Sequence, residues 1–463
     1  MTPSVGLKKN PVASFPTIAS LITSPGIAGI AVIRISGSLS LKVAKKITGK
    51  KENFIFSPRY AIYTPILSSE NKEIDSAIVT FFPSPNSFTG EDVVEISCHG
   101  GEIIASQILE TCYDFGCQPA QRGEFTRRAF INGKIDLCQA EAVADVIMSG
   151  STMGKEANYR ILSGKFSKLI ESLRSTLTNL VITIEAELDF ADDEITPTKL
   201  DQKINLISNV LRATQDVLAT YKTGKMLDSG ALVILAGLPN AGKSSLLNAI
   251  IGEERAIVAS SPGTTRDAIE VPFIINNFPI RFVDTAGIRD KTSSGIEQKG
   301  IGFTRDYLNK ADLILNIVDV SNKSDPTVSI FNSNEPQTTP SINVFNKCDL
   351  IDSPLSFDVN NNIFTSALSG QGLDILLEKI YNTLNSQVAI SSEVILTNQR
   401  HRNSLIKFES CLCSLLEDME RELPTDVIAS ELRIGVSLLD ELLGVTTADD
   451  ILENIFSNFC IGK

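Results

Sequence analysis

The spacing of apolar positions changes character three times along the chain, and each change marks a different kind of element. Near the N-terminus, short runs such as Ile30-Ala-Val-Ile-Arg-Ile35, Ala77-Ile-Val-Thr-Phe-Phe82 and Val93-Val-Glu-Ile-Ser97 predict strands. A helix-like segment from Glu102 to Phe115 follows them and stops at Gly116. The stretch from Gly123 reads as helical. Within it, Phe166, Leu169, Ile170, Leu173, Leu177, Leu180, Val181 and Ile184 recur at helical spacing, which puts one apolar stripe on a long helix. After Ser229, aliphatic strands at 231–236, 280–283, 313–320 and 341–345 alternate with helices, implying a doubly wound, mostly parallel sheet. The polar stretch from Ser321 to Pro340 predicts a loop. Beyond residue 385 the pattern is helical again, and Thr447 is placed to cap a last helix from Ala448 to Phe456.

These changes predict an α/β and α multi-domain protein. Residues 1–122 form an α+β N-terminal domain, 123–228 and 386–463 two halves of a helical domain, and 229–385 an α/β domain inserted between them. A length of 463 residues agrees with about three domains of roughly 150 residues each. The chain is 43% hydrophobic and 21% charged, with no apolar run near the ~20 residues needed to span a bilayer. Lys8-Lys9-Asn10 is followed by Pro11 and Pro16 instead of an apolar stretch, so no signal peptide is expected and a cytoplasmic location is. Eight cysteines and two histidines lack the spacing of a zinc site, which favours reduced, mainly structural thiols. The formal charge of −13 argues against a broad basic surface for nucleic acid; such a partner would need a local basic patch or a second protein.

Gly237-Leu-Pro-Asn-Ala-Gly-Lys-Ser244 sits between an aliphatic strand and an apolar helix, the context of a phosphate-binding loop. Backbone N–H groups of Asn240, Ala241, Gly242 and the first helical residues through Ser245 can wrap phosphate oxygens. Lys243 can reach the β- and γ-phosphates, and Ser244 can ligate Mg²⁺. Three further elements follow in order. Gly263-Thr-Thr-Arg-Asp267 offers Thr264 and Thr265, the latter a second Mg²⁺ ligand. Asp284-Thr285-Ala286-Gly287 follows a strand, so Asp284 can hold a water of the Mg²⁺ shell and Gly287 can donate to the γ-phosphate. Asn346-Lys347-Cys-Asp349 ends another strand, and the Asp349 carboxylate can accept from N1–H and N2–H₂ of guanine, a donor pair adenine lacks. Ser366, Ala367 and Leu368 complete a base pocket. Taken singly, each element also reads as a glycine-rich turn, a polar loop or a strand-ending turn; four in the required order point to GTP.

With these residues in place, the chain resembles the potassium-dependent, dimerising GTPases, and among them the MnmE (TrmE) family of tRNA-modification GTPases. The resemblance also rests on Ser24-Pro-Gly-Ile-Ala-Gly-Ile30, Arg34-Ile-Ser-Gly37, Ser87-Phe-Thr-Gly-Glu-Asp92, His99-Gly-Gly101, Arg122-Gly-Glu-Phe-Thr-Arg-Arg-Ala-Phe130, Gly133-Lys-Ile-Asp136 and the terminal Phe459-Cys-Ile-Gly-Lys463. Ala28 stands where relatives often carry a further glycine. Gly287 is followed by Ile288-Arg-Asp290, none suited to positioning water, so another catalytic arrangement is required. The resemblance implies a K⁺ ion held by the Asn240 side chain and by carbonyls of the loop including Ala259, Ser261 and Thr264. It implies water orientation by Glu297, which otherwise reads as an exposed loop acid.

The same resemblance implies an N-terminal domain that dimerises and binds 5,10-methylene- or 5-formyl-tetrahydrofolate near Arg34, Glu95, Lys134 and Lys463. It further implies a homodimer that forms a heterotetramer with the flavoprotein MnmG (GidA). That assembly would act on tRNA, adding a carboxymethylaminomethyl or aminomethyl group at C5 of the wobble uridine, with GTP hydrolysis as the enzyme activity. Cys460 reads either as a packed apolar thiol or as a reactive group beside the folate. Two competing classes stay open: a ribosome-assembly switch that binds RNA without modifying it, and a one-carbon transferase of small molecules.

Overall fold

The computed structural model of the chain describes residues 15–189, 198–252, 270–284, 310–321, 339–351, 362–388, 393–457 and 459–463. They fall into two compact units: Met1–Ala144 with Ser167–Ala186 and Ala429–Lys463, and Asp145–Phe166 with Glu187–Ile428. No helix among the described residues is long and apolar enough to cross a membrane.

The first unit is built on six strands, β1 (Ile18–Leu21), β2 (Ala28–Ser36), β3 (Ile62–Leu67), β4 (Glu73–Phe82), β5 (Val93–Gly100) and β6 (Gln118–Pro119), in the order β3-β4-β5-β2-β1-β6. All neighbours run antiparallel except β1 and β6. Alternation along β5 buries Val94, Ile96 and Cys98 on one face, so Glu95 and Ser97 take the other. Helices Ser40–Ile47 and Glu102–Asp114 cover the apolar face, bringing Val43, Ala44, Ile47, Ala105 and Ile108 against Ile33, Ile35, Val79 and Ile96. Each such isoleucine contributes about 1.5–3 kcal/mol by leaving water. The second of these helices ends where Gly116 turns to φ +100°, a conformation open to glycine.

A smaller core joins Leu137 and Ala140 to Leu452, Phe456 and Phe459. It seats the end of the chain: Gly123 has φ +67°, and a Cβ there would lie 2.7 Å from the Phe456 carbonyl oxygen. The last helix runs Asp449–Ser457, so Thr447 does not cap it as the sequence predicts; its buried hydroxyl has no hydrogen-bond partner among the described residues.

The second unit carries β7 (Ala231–Gly237), β8 (Glu270–Ile275), β9 (Phe278–Asp284), β10 (Leu313–Asp319), β11 (Ser341–Asn346) and β12 (Asn362–Thr365), in the order β12-β11-β10-β7-β9-β8. Every pair is parallel except β8–β9, a hairpin turned by Asn276 and Asn277 at φ +48° and +65°. Strand β7 is buried on both faces, as a covered parallel sheet requires. Val233 and Leu235 pack with Leu246, Leu247 and Ile250 of helix Lys243–Gly252, while Leu232, Ile234 and Ala236 pack with Val283, Ala311 and Ile314. From Leu169 onward the predicted stripe belongs to the first unit, on helix Lys165–Asp189, with Ile170, Leu177 and Ile184 buried and Leu169 half-buried.

Candidate nucleotide site and a second polar site

The phosphate-binding loop grows out of the buried strand β7. Gly237 lies so close to β10 that a Cβ would come within 2.4 Å of the Ile317 carbonyl oxygen. Asn240 and Gly242 then adopt φ of +65° and +89°, folding the chain back before helix Lys243–Gly252 begins. Lys243, 6% exposed, donates its ammonium to the carbonyls of Gly237 at 3.0 Å and Leu238 at 2.9 Å. The buried cation therefore stands at the helix N-terminus, where the backbone already favours an anion. Directly after it, the Ser244 hydroxyl donates to Asp284 Oδ2 at 2.5 Å. Parallel pairing of β7 with β9 sets Asp284 beside Leu235 and so delivers its carboxylate to that hydroxyl. A hydroxyl and a carboxylate converging at a phosphate-binding loop are the hard oxygen donors that Mg²⁺ takes, so the residues present fit that ion.

The base side of the edge is organised around Asn346, 1% exposed at the end of β11. Its amide donates to the Ala241 carbonyl at 3.1 Å, and its Oδ1 accepts from the Ala367 N–H at 3.3 Å. Lys347, at φ +65°, donates to the Asn240 carbonyl at 3.0 Å and to Asp319 Oδ2 at 2.5 Å. Asp349 is exposed in a 3₁₀ turn, Cys348–Leu350, beside the strand end. Ser366 is buried, its N–H held by the Gln371 carbonyl at 3.0 Å, and Leu368 is 89% exposed. One carboxyl edge thus gathers Asn240, Ala241, Gly242, Lys243, Ser244, Ser245, Asp284, Asn346, Lys347, Asp349, Ser366, Ala367 and Leu368. Ala259, Ser261, Thr264, Thr265, Thr285, Ala286, Gly287 and Glu297 lie outside the described residues.

Asp319 escapes motif reading, yet it is the partner of Lys347. Its strand was legible as Leu313 to Val320; the signal is its position, since pairing of β10 with β11 sets Asp319 against Asn346. Burial raises the Asp319 pKa, but the hydrogen bonds from Lys347 and Ser321 outweigh it and hold the carboxyl below its ordinary value.

A second polar site lies on the open face of the first unit's sheet. Arg34 and Glu95 are cross-strand neighbours, and the guanidinium meets Glu95 Oε1 through Nε at 2.9 Å and Nη2 at 2.8 Å. The same guanidinium stands 5.0 Å from the Phe88 ring and 5.5 Å from the Phe125 ring. Phe125 is itself tied to the chain end, its N–H donating to an oxygen of Lys463 at 3.1 Å. Lys134 donates to the Pro85 carbonyl at 2.9 Å, on the loop that carries Phe88. Arg34 and Glu95 are therefore in direct contact, whereas Lys134 and Lys463 join them through their hold on the two aromatic neighbours. Phe88 and Phe125 stand within the motifs at 87–92 and 122–130 but are not assigned to this site from sequence, because an apolar ring carries no chemistry of its own to single it out.

Family comparison agrees with the geometry. The family model described as MnmE helical domain matches residues 137–460, and that described as GTP-binding protein TrmE N-terminus matches residues 17–134. The tRNA modification GTPase MnmE of Dichelobacter nodosus is 41% identical over 453 residues, covering 96% of this chain and 99% of that protein. The MnmE of Nitrosomonas europaea is 37% identical, with 96% and 99% covered. This chain belongs to the MnmE family. Among solved structures, the G domain of the T. maritima FeoB iron transporter is 28% identical, covering 33% of this chain and 98% of that one, at a TM-score of 0.25.

In this MnmE-family chain the terminal Cys-Ile-Gly-Lys motif is built into the first unit. Ile461 bridges to Arg122, and Gly462 at φ +94° passes so near β1 that a Cβ would fall 2.3 Å from the Leu21 carbonyl oxygen. Cys460 is exposed, so the packed-thiol reading of it does not hold. Ala28 opens β2 beside a bulge in its pairing with β5, and its carbonyl crowds Gly100, where a Cβ would lie 2.2 Å away. Its backbone is not left-handed, so the alanine is accommodated without strain.

Proposed function

We propose that the chain is a K⁺-activated, homodimeric GTPase that works with the flavoprotein MnmG (GidA). Together they add a carboxymethylaminomethyl or aminomethyl group at C5 of the wobble uridine of certain tRNAs, with a folate as one-carbon source. The observation that carries this reading is the meeting of Lys243, the Ser244–Asp284 pair and the Asn346–Lys347 anchors on one sheet edge of an MnmE-family chain.

On binding GTP, Lys243 exchanges the Gly237 and Leu238 carbonyls for phosphate oxygens, and N–H groups at the start of the helix take up others. Ser244 and Asp284 would part, Ser244 to ligate Mg²⁺ together with Thr265 and Asp284 to hold a water of its shell. Asn240 and the carbonyls of Ala259, Ser261 and Thr264 would hold K⁺. When bound, the two cations supply positive charge against the phosphate oxygens as hydrolysis proceeds. Asp349 accepts from the guanine edge, and Glu297 orients the attacking water. For the folate, Arg34 draws both of its bonds from Glu95 Oε1, so Oε2 has capacity for the pterin N–H groups. Phe88 and Phe125 offer apolar surface beside it.

Nucleoside analysis of tRNA from cells lacking the protein should show loss of the C5-modified wobble uridine and its return on complementation. An unchanged nucleoside profile would overturn the reading. Hydrolysis at equal ionic strength should be faster in K⁺ than in Na⁺, and equal rates would remove the K⁺ assignment.

A further inference from the structure

Two consecutive carbonyls of the phosphate-binding loop are held by two consecutive side chains: Asn240 by Lys347 at 3.0 Å and Ala241 by Asn346 at 3.1 Å. The Asn346 half is rigid on its own account, because that side chain is 1% exposed and is bonded at both ends. The Lys347 half is not. Its side chain is 32% exposed and has four rotatable bonds, so an ammonium tied to one carbonyl would sample other rotamers. What restricts it is Asp319. One oxygen of that carboxylate takes the Lys347 ammonium at 2.5 Å, and the other accepts from the Ser321 N–H at 2.9 Å and the Ser321 hydroxyl at 2.6 Å. The carboxylate is thus anchored to its own chain on one side and to Lys347 on the other.

We propose that Asp319 is a positioning residue of the nucleotide site: by anchoring Lys347 it pins the Asn240 carbonyl and so keeps Asn240 in its left-handed conformation. Asn240 at φ +65° is in the left-handed region, which asparagine tolerates but does not prefer, so a hold on its carbonyl selects that conformation over the right-handed ones. The Asn240 carbonyl accepts that restraint, and its conformation sets where its own side chain points. The inference rests on the guanine-nucleotide reading of the edge and extends it to a residue outside the four motif elements.

Equilibrium binding of GDP to the full chain, followed by a fluorescent GDP analogue and competition with GDP, tests it with Asp319→Ala, Asp319→Asn and wild type. Asp319→Ala should weaken GDP about tenfold, the loss expected when a charge-assisted contact that orders a binding loop is removed. Asp319→Asn, which keeps an acceptor for Lys347, should recover part of that loss. The thermal midpoint of the nucleotide-free variants should stay within about 2 °C of wild type, since the contact is partly exposed and orders a loop instead of a core. Wild type that binds GDP alongside an Asp319→Ala that binds it equally well would overturn this inference alone. A fall in affinity matched by a large fall in nucleotide-free stability would also overturn it, as a merely structural role. Wild type that fails to bind GDP would overturn the nucleotide reading and this inference with it.

Discussion

The side-chain amide of Asn346 donates to the carbonyl of Ala241 at 3.1 Å, joining positions 105 residues apart in sequence. A strand end and a phosphate-binding loop that share no sequence neighbourhood are thereby fixed to one another before any ligand arrives. Asn346→Ala would leave the buried Ala241 carbonyl and the Ala367 N–H without this partner. Leaving such groups unsatisfied costs about 1–3 kcal/mol each. Both GDP affinity and the denaturation midpoint of the nucleotide-free protein should fall, in contrast to Asp319→Ala. Unchanged denaturation would show that Asn346 serves the ligand alone.

Gly242 makes a sharper test of the same approach. Its φ is +89°, and a Cβ would lie 2.3 Å from Asn346 Nδ2. Gly242→Ala must therefore either push Asn346 off the loop or flatten the turn, and either change misplaces the N–H groups that would meet phosphate. GDP binding should be lost while far-UV circular dichroism stays like that of wild type. Retained GDP affinity would mean that the loop re-forms around an alanine.

Periodicity and motif order were enough to find β2, β4, β5, β7, β9, β10, β11 and the long stripe helix, because each carries a run of apolar residues long enough to declare its period. Strand β8 was missed: Glu270-Val-Pro-Phe-Ile-Ile275 contains a proline, which argues against a strand unless it lies at an edge, and β8 is the edge of its sheet. The Asn276-Asn277 turn was the available signal, since asparagine tolerates the left-handed conformations that a two-residue hairpin needs. In the candidate nucleotide site, the residues proposed to meet ligand were legible because ligand chemistry limits their type and spacing. Asp319 was not, and in the second polar site neither was the role of Phe125, because both act on other side chains and their positions follow from strand register and packing.

Arg34 offers a test in the second site. Its guanidinium makes two contacts to Glu95 Oε1 while lying near two rings, an arrangement that uses its planar, forked shape. Arg34→Lys should therefore fail to restore what Arg34→Ala loses. Isothermal titration with 5-formyl-tetrahydrofolate should show at least about tenfold weaker binding for both variants, at roughly 1.4 kcal/mol per tenfold. Full binding by the lysine variant would mean that charge alone is needed there.

Thiol chemistry separates the cysteines by environment. Burial pushes Cys98 and Cys117 up to about 11 and Cys112 higher still, so these thiols are both shielded and protonated near neutral pH. Cys138 is buried too, its Sγ 3.2 Å from the Leu442 carbonyl oxygen. Cys413 and Cys460 are exposed. A disulfide reagent at pH 8 should modify those two first in the native protein, and all eight only after denaturation. Rapid native labelling of Cys112, located by peptide mapping, would contradict this burial.

Glu187 and Lys203 give a pH dependence with a definite sign. Their side chains are 9% and 11% exposed and meet at 2.5 Å, and Glu187 also accepts from the Thr198 N–H at 2.7 Å. Burial raises the Glu187 pKa, but the bonds from Lys203 and Thr198 outweigh it and hold the carboxyl below its ordinary value. A depressed folded pKa means that the unfolded chain binds the proton more readily. The stabilisation is therefore complete above the unfolded value of about 4.3 and is lost as pH falls through the folded value. Glu187→Gln leaves Lys203 as a buried charge without its counter-ion, so at pH 7 the variant should unfold at lower urea than wild type. As pH falls through the folded value the wild-type carboxyl takes up its proton, Lys203 then lacks its counter-ion in both proteins, and the two midpoints should converge. A gap between the midpoints that stays constant from pH 7 into the acid range would show that Glu187 acts through shape and hydrogen bonding instead of charge.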